Sequence, residues 1–277
     1  MQGKVPTIGD LSFNDPIFAV IIFKGGKGVT ANVNKERNIF LILKRSVIDI
    51  YNHLGYSLLV SFIWFLVFIP IAAILFNMLM VNLEQQDNPL ILLFLLLIFG
   101  VPYCAFIFGP VQTALFYQMD QVIDNEAEFK GLWTGLRKHY WLSVRVYGLY
   151  GGMLIFCLVD LLICLLAVDH FGLKILGIFL FYLFCFLLLI ALYLPGFLVL
   201  QENTVKKIFK KALILTLDNV LITIGVFLLL GLIGVGFTLI TPLLIFFYGG
   251  LIQVVMIYLF RGVMAKYPDP VDRIHDE

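Results

Sequence analysis

Six long apolar stretches constrain this chain more than any other feature of its sequence. They lie at about residues 55–78, 90–117, 143–167, 174–200, 219–239 and 243–261. An α-helix needs roughly 20 residues to cross the hydrocarbon core of a bilayer, and each stretch meets that length. Hydrophobic residues make up 61% of the chain and charged residues 13%, far from the composition of soluble domains. The sequence therefore predicts an all-α, polytopic membrane protein with six transmembrane helices.

The distribution of positive charge predicts how these helices are oriented. Segments 1–54, 118–145, 201–218 and 261–277 all fall on one side of the six-span arrangement, and they carry every Lys and Arg except Lys174. Connections that are rich in Lys and Arg remain in the cytoplasm. The positive-inside rule therefore predicts that both termini are cytoplasmic.

Three stretches on this side, at 35–54, 126–141 and 204–217, have apolar residues at helical spacing and basic residues between them. Each precedes a pair of spans, so we predict three hairpins, each preceded by a cytoplasmic amphipathic helix. Such helices lie in the headgroup layer, where anionic headgroups are their partners. The predicted domains are an N-terminal cytoplasmic segment (1–34), a transmembrane domain (35–262) and a cytoplasmic tail (263–277).

The sequence contains no constellation typical of a catalytic, cofactor or metal site. KGGKGVT at 24–30 lacks the spacing of a phosphate-binding loop, and the four histidines are dispersed along the chain. The four cysteines fall inside apolar runs and form no CxxC pair. We therefore expect a protein that is not an enzyme, with no cofactor, no metal and no nucleic-acid partner.

The only cluster of carboxylates comprises Asp120, Asp124, Glu126 and Glu128. Acid–base catalysis would need these groups to converge on a pocket. Acids at the start of a helix are the simpler interpretation, because negative charge is favoured there. We predict that Asp124 or Asn125 caps the helix at 126–141, with the two glutamates in its first turn.

Several polar or small residues occur within the predicted spans. Asp160 is the one acid within an apolar run, and an ionisable residue inside a membrane is a functional candidate by default. Gln112 and Gln253 are candidates for the same polar path, although hydrogen bonds between helices are the commonest use of such amides. Gly148 and Gly152 form a pair suited to close helix packing.

GPVQTALFY at 109–117, followed by FKGLWTGLRKHYWLS at 129–143, resembles the YesL-like family of bacterial membrane proteins. The family-motif positions are Gly109, Pro110, Thr113 and Ala114, and matching positions follow at Phe129, Trp133, Gly135 and Arg137. The resemblance implies a six-span protein of the bacterial plasma membrane. Family members often occur beside sugar-uptake transporters and polysaccharide-degradation functions, which implies an accessory role. No catalytic residue is established for the family.

These observations leave three functions open. The first is a non-catalytic accessory or scaffold protein, docked on its cytoplasmic side by a membrane transporter or the cytosolic subunit of one. The candidate docking residues are Phe129, Trp133, Arg137, Lys206, Lys207, Lys210 and Lys211. The second is a small-solute transporter or channel with a polar path that includes Asp160. The third is an intramembrane enzyme, for which no convergent catalytic set is visible.

Overall fold

The computed structural model describes residues 38–84, 96–128, 130–164, 171–201 and 204–267. Its helices in chain order are α1 (Ile39–Asn52), α2 (Leu54–Glu84), α3 (Leu97–Ile123), α4 (Gly131–Leu162), α5 (Phe171–Ala191), α6 (Leu194–Val199), α7 (Val205–Asp218), α8 (Val220–Thr238) and α9 (Thr241–Met264). No strand occurs within these ranges. Among the described helices, α2, α3, α4, α5, α8 and α9 are long and apolar enough to cross a membrane. The predicted all-α, six-span class is confirmed.

Helix α3 contains two wide π-helical turns near prolines. In α3, the turns Leu96–Gly100 and Cys104–Phe108 come just before the segments that contain Pro102 and Pro110. Proline lacks an N–H group and its ring crowds the carbonyl four residues earlier, so a wide turn relieves the conflict. Both prolines are therefore accommodated within one span.

One predicted boundary differs from the structure. The sequence predicts an interfacial helix at 126–141 and a separate span at 143–167, whereas α4 is a single helix over Gly131–Leu162. Residues 136–147 contain neither Gly nor Pro, so no residue there interrupts the helix. The 32 residues of α4 extend over about 48 Å, well beyond the roughly 30 Å of a hydrocarbon core. The amphipathic stretch is thus an extension of the span.

The predicted span 174–200 also differs, because it divides into two helices. Helix α5 ends at Ala191, and the chain then makes a turn before α6, which begins at Leu194. Pro195 lies in the first turn of α6, where its missing N–H leaves no unsatisfied bond. Every residue of α6 is buried, so this short helix lies inside the protein.

Small residues allow α3 and α4 to pack closely as antiparallel neighbours. Gly109 faces the ring of Tyr147, and Gly135 faces the ring of Tyr117, so closely that a side chain at either glycine would overlap the tyrosine. Tyr147 is buried between the two helices. Because the contacts pair an early residue of α3 with a later residue of α4, they also set the relative heights of the two helices.

Of the glycine pair predicted for close packing, Gly148 and Gly152, only Gly148 packs closely against a neighbouring helix. A methyl group at Gly148 would lie 3.2 Å from the Cβ of Ala105, so this glycine does face α3 closely. Its expected partner Gly152 has no neighbour nearer than 4.0 Å to such a methyl group. Gly151 takes the second close position, 2.8 Å from the Cβ of Cys104.

The first and last spans also meet at backbone distance. The amide N–H of Gly250 in α9 donates to Ser61 Oγ in α2 over 2.7 Å, and that hydroxyl donates to the carbonyl of Ser57 over 2.7 Å. A methyl group at the neighbouring Gly249 would lie 2.8 Å from the Cα of Ser61. Glycines at both positions are therefore needed for α2 and α9 to approach this closely.

One end of the bundle gathers the ends of α3 and α9, the start of α4, and helices α1 and α7. We call it the basic end; it corresponds to the side predicted to be cytoplasmic. Helix α1 packs its buried face against α9, and the hydroxyl of Tyr258 donates to Asp49. The ring of Phe197 in α6 meets that of Phe260 edge-to-face at 5.0 Å. The half of α9 nearest this end is accordingly almost wholly buried.

The contact between α2 and α9 predicts different outcomes for two glycine substitutions. Gly249→Ala places a methyl group against the backbone of Ser61 and should destabilise the protein by about 1–3 kcal/mol through overpacking. Thermal unfolding in mild detergent, followed with a thiol-reactive dye, measures the loss.

Gly231→Ala in α8 is the control, because nothing lies within 4 Å of the added methyl group. Alanine is a better helix former than glycine by about 1 kcal/mol, so this variant should be as stable as the unaltered protein or more so. Equal melting temperatures for the two variants would contradict the proposed contact.

Candidate functional site

A three-residue ion cluster joins α3 to α9 at the basic end. Arg261 Nη2 donates to Asp120 Oδ1 over 2.6 Å and to Asp124 Oδ2 over 2.7 Å, and Nη1 donates to Asp124 Oδ1 over 2.8 Å. Asp120 is buried, with 8% of its surface exposed. The guanidinium thus binds one carboxylate with both of its terminal nitrogens and a second with one. Such charge-assisted, two-pronged bonds are both strong and directional.

The acids of this region do not cap a following helix as predicted. Asp124 is the last residue of the turn that ends α3, and Asn125 adopts a φ of 59°, the left-handed conformation that stops a helix. The N–H of Asn125 bonds to the carbonyl of Val122, and that of Glu126 to Gln121. These two bonds form a Schellman motif, so the prediction of an N-terminal cap at Asp124 or Asn125 is wrong.

The glutamates also lie elsewhere than predicted. Glu126 and Glu128 belong to the non-helical connection, and α4 begins later, at Gly131, with Lys130 in the capping position. The capping prediction failed because Asp124 pairs with the guanidinium of Arg261, 137 residues away in the chain, and not with the positive N-terminal end of a helix. A full charge at hydrogen-bonding distance attracts a carboxylate more strongly than a helix dipole does.

Asp124 lies beyond the end of α3, and its protonation is linked to this cluster. Hydrogen bonds from Arg261, reinforced by its charge, hold the pKa of Asp124 below its ordinary value, while partial burial opposes the shift. A lowered pKa means that the folded protein favours the carboxylate form. The stabilisation is therefore complete above the ordinary pKa of about 3.9 and is lost as the pH falls through the lowered value.

A pair of buried amides lies about two helical turns deeper along the same two helices. Gln112 Nε2 donates to Gln253 Oε1 over 3.3 Å, and Gln253 Nε2 donates to Gln112 Oε1 over 3.1 Å. Trp64 Nε1 also donates to Gln112 Oε1, over 3.0 Å. Gln253 is completely buried and Gln112 is 6% exposed. The two candidates for a polar path are therefore brought together, and each satisfies the other.

Two of the family-motif residues, Gly109 and Thr113, lie in the contact between α3 and α4. Gly109, Pro110, Thr113 and Ala114 are all buried. Thr113 Oγ1 donates to the carbonyl of Gly109 over 2.9 Å and accepts from Ser143 Oγ over 2.9 Å. Close packing and a hydroxyl pair explain why a Gly, a Thr and an Ala suit these positions.

A second polar cluster ties α7 and α8 to the end of α9. Asp218 accepts from Lys266 and from the hydroxyl of Tyr267. Asn219, at the junction between α7 and α8, is buried and donates through Nδ2 to the carbonyl of Leu215 over 3.1 Å and to Tyr267 over 3.4 Å. The short segment after α9 therefore fixes the orientation of α7.

The candidate docking residues divide into two groups on the surface. Trp133 and Arg137 are exposed on the first turns of α4, with Trp133 64% exposed. Lys206, Lys207 and Lys210 are exposed on α7, and Lys211 is half-buried and donates to Gln201 over 2.9 Å. Phe129 and the segment 1–34 lie outside the described residues.

Asp160 does not join the amide pair. It is half-buried near the far end of α4. Tyr147 of α4 is level with Gly109 of α3, so Asp160 lies about 20 Å further along at 1.5 Å per residue. Gln112 is displaced in the opposite direction because the helices are antiparallel. Within the described residues, no hydrogen bond or ion pair links Asp160 to Gln112 or Gln253.

The sequence interpretation missed the role of Arg261. Its position after an apolar span identified it only as one of the cations that set the topology. The spacing of Asp120 and Asp124 was an available signal, because residues four apart share one helix face and two acids there require a cation. Which cation pairs with these two acids depends on the packing of α9 against α3.

Comparisons of the chain with protein-family models, with curated proteins and with solved structures found no match. Among the described residues, no group of three or more His, Cys, Asp or Glu side chains is close enough to hold a metal ion. The resemblance to the YesL-like family therefore stays a prediction from the sequence.

The ion cluster predicts a rescue experiment. Arg261→Gln leaves the buried Asp120 carboxylate without its cation and should reduce the free energy of unfolding by about 1–3 kcal/mol. Adding Asp120→Asn removes the unpaired charge, so the double variant should be more stable than Arg261→Gln alone. Thermal unfolding of the three proteins in detergent measures both effects.

Arg137→Gln is the matched control, because this arginine is exposed and makes no ion pair within the described residues. Its melting temperature should stay close to that of the unaltered protein. If Arg261→Gln behaves like this control, the cluster contributes nothing to the stability of the bundle.

The amide pair predicts non-additive effects. Either Gln112→Leu or Gln253→Leu alone leaves one buried amide without its partner, at a cost of about 1–3 kcal/mol. Replacing both by Leu removes both polar groups and should restore most of the stability, apart from the loss of the bond from Trp64. Melting temperatures of the two single variants and the double variant form the cycle. Strictly additive losses would contradict the mutual pairing.

Proposed function

We propose that this multi-pass membrane protein is a non-catalytic accessory or scaffold protein that docks a partner through its basic end. The observation that carries the proposal is the arrangement of α7. Ile208, Ala212, Leu215 and Thr216 are buried on the inner face of this helix. Lys206, Lys207 and Lys210 are exposed on its outer face. A helix anchored on one side and cationic on the other is suited to an acidic protein surface.

The anchoring of α7 supports docking because it keeps the lysine face in one orientation. Asp218 at the end of α7 is held by Lys266 and Tyr267, and Asn219 bonds to the last turn of the same helix. A surface that is already ordered loses less conformational freedom when it binds. The lysine face of α7 is therefore organised before a partner arrives.

The interior contacts argue against the alternative of a small-solute transporter or channel. Gln112 and Gln253 bond to each other and to Trp64, which leaves few polar groups to replace the hydration of a solute. Asp160 is too far along α4 to act with them. A polar path would need these three residues at the same depth in the bundle, or following one another along its axis. The described contacts provide neither arrangement.

The class of partner follows from the family resemblance. On that basis we propose that the protein resides in a bacterial plasma membrane, with its basic end in the cytoplasm. The partner would be a membrane transporter, or the cytosolic subunit of one, that takes part in carbohydrate uptake. Trp133 and Arg137 on α4 provide a second exposed patch at the same end and would extend the docking surface.

Crosslinking of membranes followed by affinity purification and mass spectrometry tests the proposal. Components of membrane transporters should be recovered with the unaltered protein. The variant Lys206→Glu, Lys207→Glu, Lys210→Glu should lose most of that recovery, because it reverses the charge of the outer face of α7. Recovery should also fall as salt is raised, since exposed charges are screened.

The matched control replaces the same three lysines by arginine, which preserves the charge, and should recover the same components. Equal recovery with the glutamate variant would show that α7 is not the docking surface. Solute flux in proteoliposomes made from the purified protein alone would favour the transporter alternative instead.

A further inference from the structure

A stripe of exposed residues on α4 changes character along the helix. Moving away from the basic end, its members at intervals of three or four residues are Trp133, Arg137, Trp141, Arg145, Leu149, Met153 and Phe156, all exposed. Residues four apart are neighbours on a helix surface, and each such step turns about 40° around the axis, so the stripe winds around α4. The first four members alternate between tryptophan and arginine, and the last three are purely apolar.

The position of this change matches the boundary of a bilayer. The residues from Arg145 to the end of α4 at Leu162 extend over about 26 Å at 1.5 Å per residue, close to the roughly 30 Å of hydrocarbon. Trp is enriched at the interface between membrane and water, and a long Arg side chain near that interface extends toward the headgroups. On this alignment the phosphates of the lipids would begin near Trp141 and Arg145.

Arg145 has no counter-ion within the described residues. Residues 131–159 contain no Asp or Glu. Within the described parts of the chain, Arg145 makes no hydrogen bond or ion pair, in contrast to Arg261, which binds two carboxylates. A guanidinium at this depth requires an anion, and phosphate accepts two parallel bonds from it.

We propose that Trp141 and Arg145 form a binding site for the headgroup of an anionic phospholipid in the leaflet at the basic end. Arg145 binds the lipid phosphate, and the indole of Trp141 packs against the glycerol region. Leu149 and Met153 continue the same stripe and contact the acyl chains. This apolar continuation selects a lipid over a soluble phosphate or an acidic protein, neither of which would cover it.

The site uses residues of α4 only, and it does not depend on the proposed docking function. Trp141 also packs edge-to-face on its neighbour Tyr140, with ring centroids 5.4 Å apart. This contact restricts the indole on the exposed surface of α4. The lipid site thus has one aromatic wall and one cation.

Quenching of tryptophan fluorescence by brominated lipids tests the site. The chain has three tryptophans, so Trp133→Phe is introduced first, and Trp133→Phe with Trp141→Phe provides the signal of Trp64 for subtraction. The protein is reconstituted in phosphatidylcholine vesicles that contain the same mole fraction of either dibrominated phosphatidylglycerol or dibrominated phosphatidylcholine. Trp141 should prefer the anionic lipid by about fivefold.

Arg145→Gln should abolish this preference while leaving quenching by brominated phosphatidylcholine unchanged, and Arg145→Lys should retain most of it. Lys174→Gln, at the opposite end of the bundle, should retain all of it. Equal quenching by the two lipids in the parent protein, or an unchanged preference in Arg145→Gln, would overturn the proposal. Loss of the preference on adding millimolar inorganic phosphate at constant ionic strength would overturn the assignment to lipid.

Discussion

Arg261 carries a charge near the end of an otherwise apolar span, and such a charge requires a counter-ion close by. Asp120 provides it from the last turn of α3 and Asp124 from just beyond that turn, over distances of 2.6–2.8 Å. This contact brings α9 beside α3, and the amides of Gln112 and Gln253 then face each other. With α9 placed, its glycines meet α2, and α1 and α6 pack against it at the basic end.

The same arrangement separates the interior of the protein from its candidate functional surfaces. The polar groups between the helices are mostly bonded to one another, and they account for packing. The exposed cations of α4 and α7 are directed outward at the basic end. Those on α7 belong to a helix tied down by Asp218 and Asn219, and they are suited to a protein. Arg145 on α4 lies above an apolar stripe, and it is suited to a lipid.

Much of the fold could be predicted from the sequence, and the errors have identifiable causes. Six apolar runs predicted six spans because hydrophobic length is a local property of the chain. The separate helix at 126–141 was wrong because a change in polarity does not end a helix unless the backbone is interrupted, and none of residues 136–147 does so. The capping role of Asp124 was wrong because its partner, Arg261, is distant in sequence.

The sequence by itself determined that this is a helical membrane protein, and it predicted a basic side, because hydropathy and charge are read from neighbouring residues. Tertiary structure alone decided which polar residues meet. Gln112 and Gln253, 141 residues apart, form a pair, whereas Asp160, which was grouped with them, lies about 20 Å or more along the bundle axis. The relative height and rotation of the helices decide which residues pair. Contacts such as Gly109 with Tyr147 and Gly250 with Ser61 set these heights and rotations.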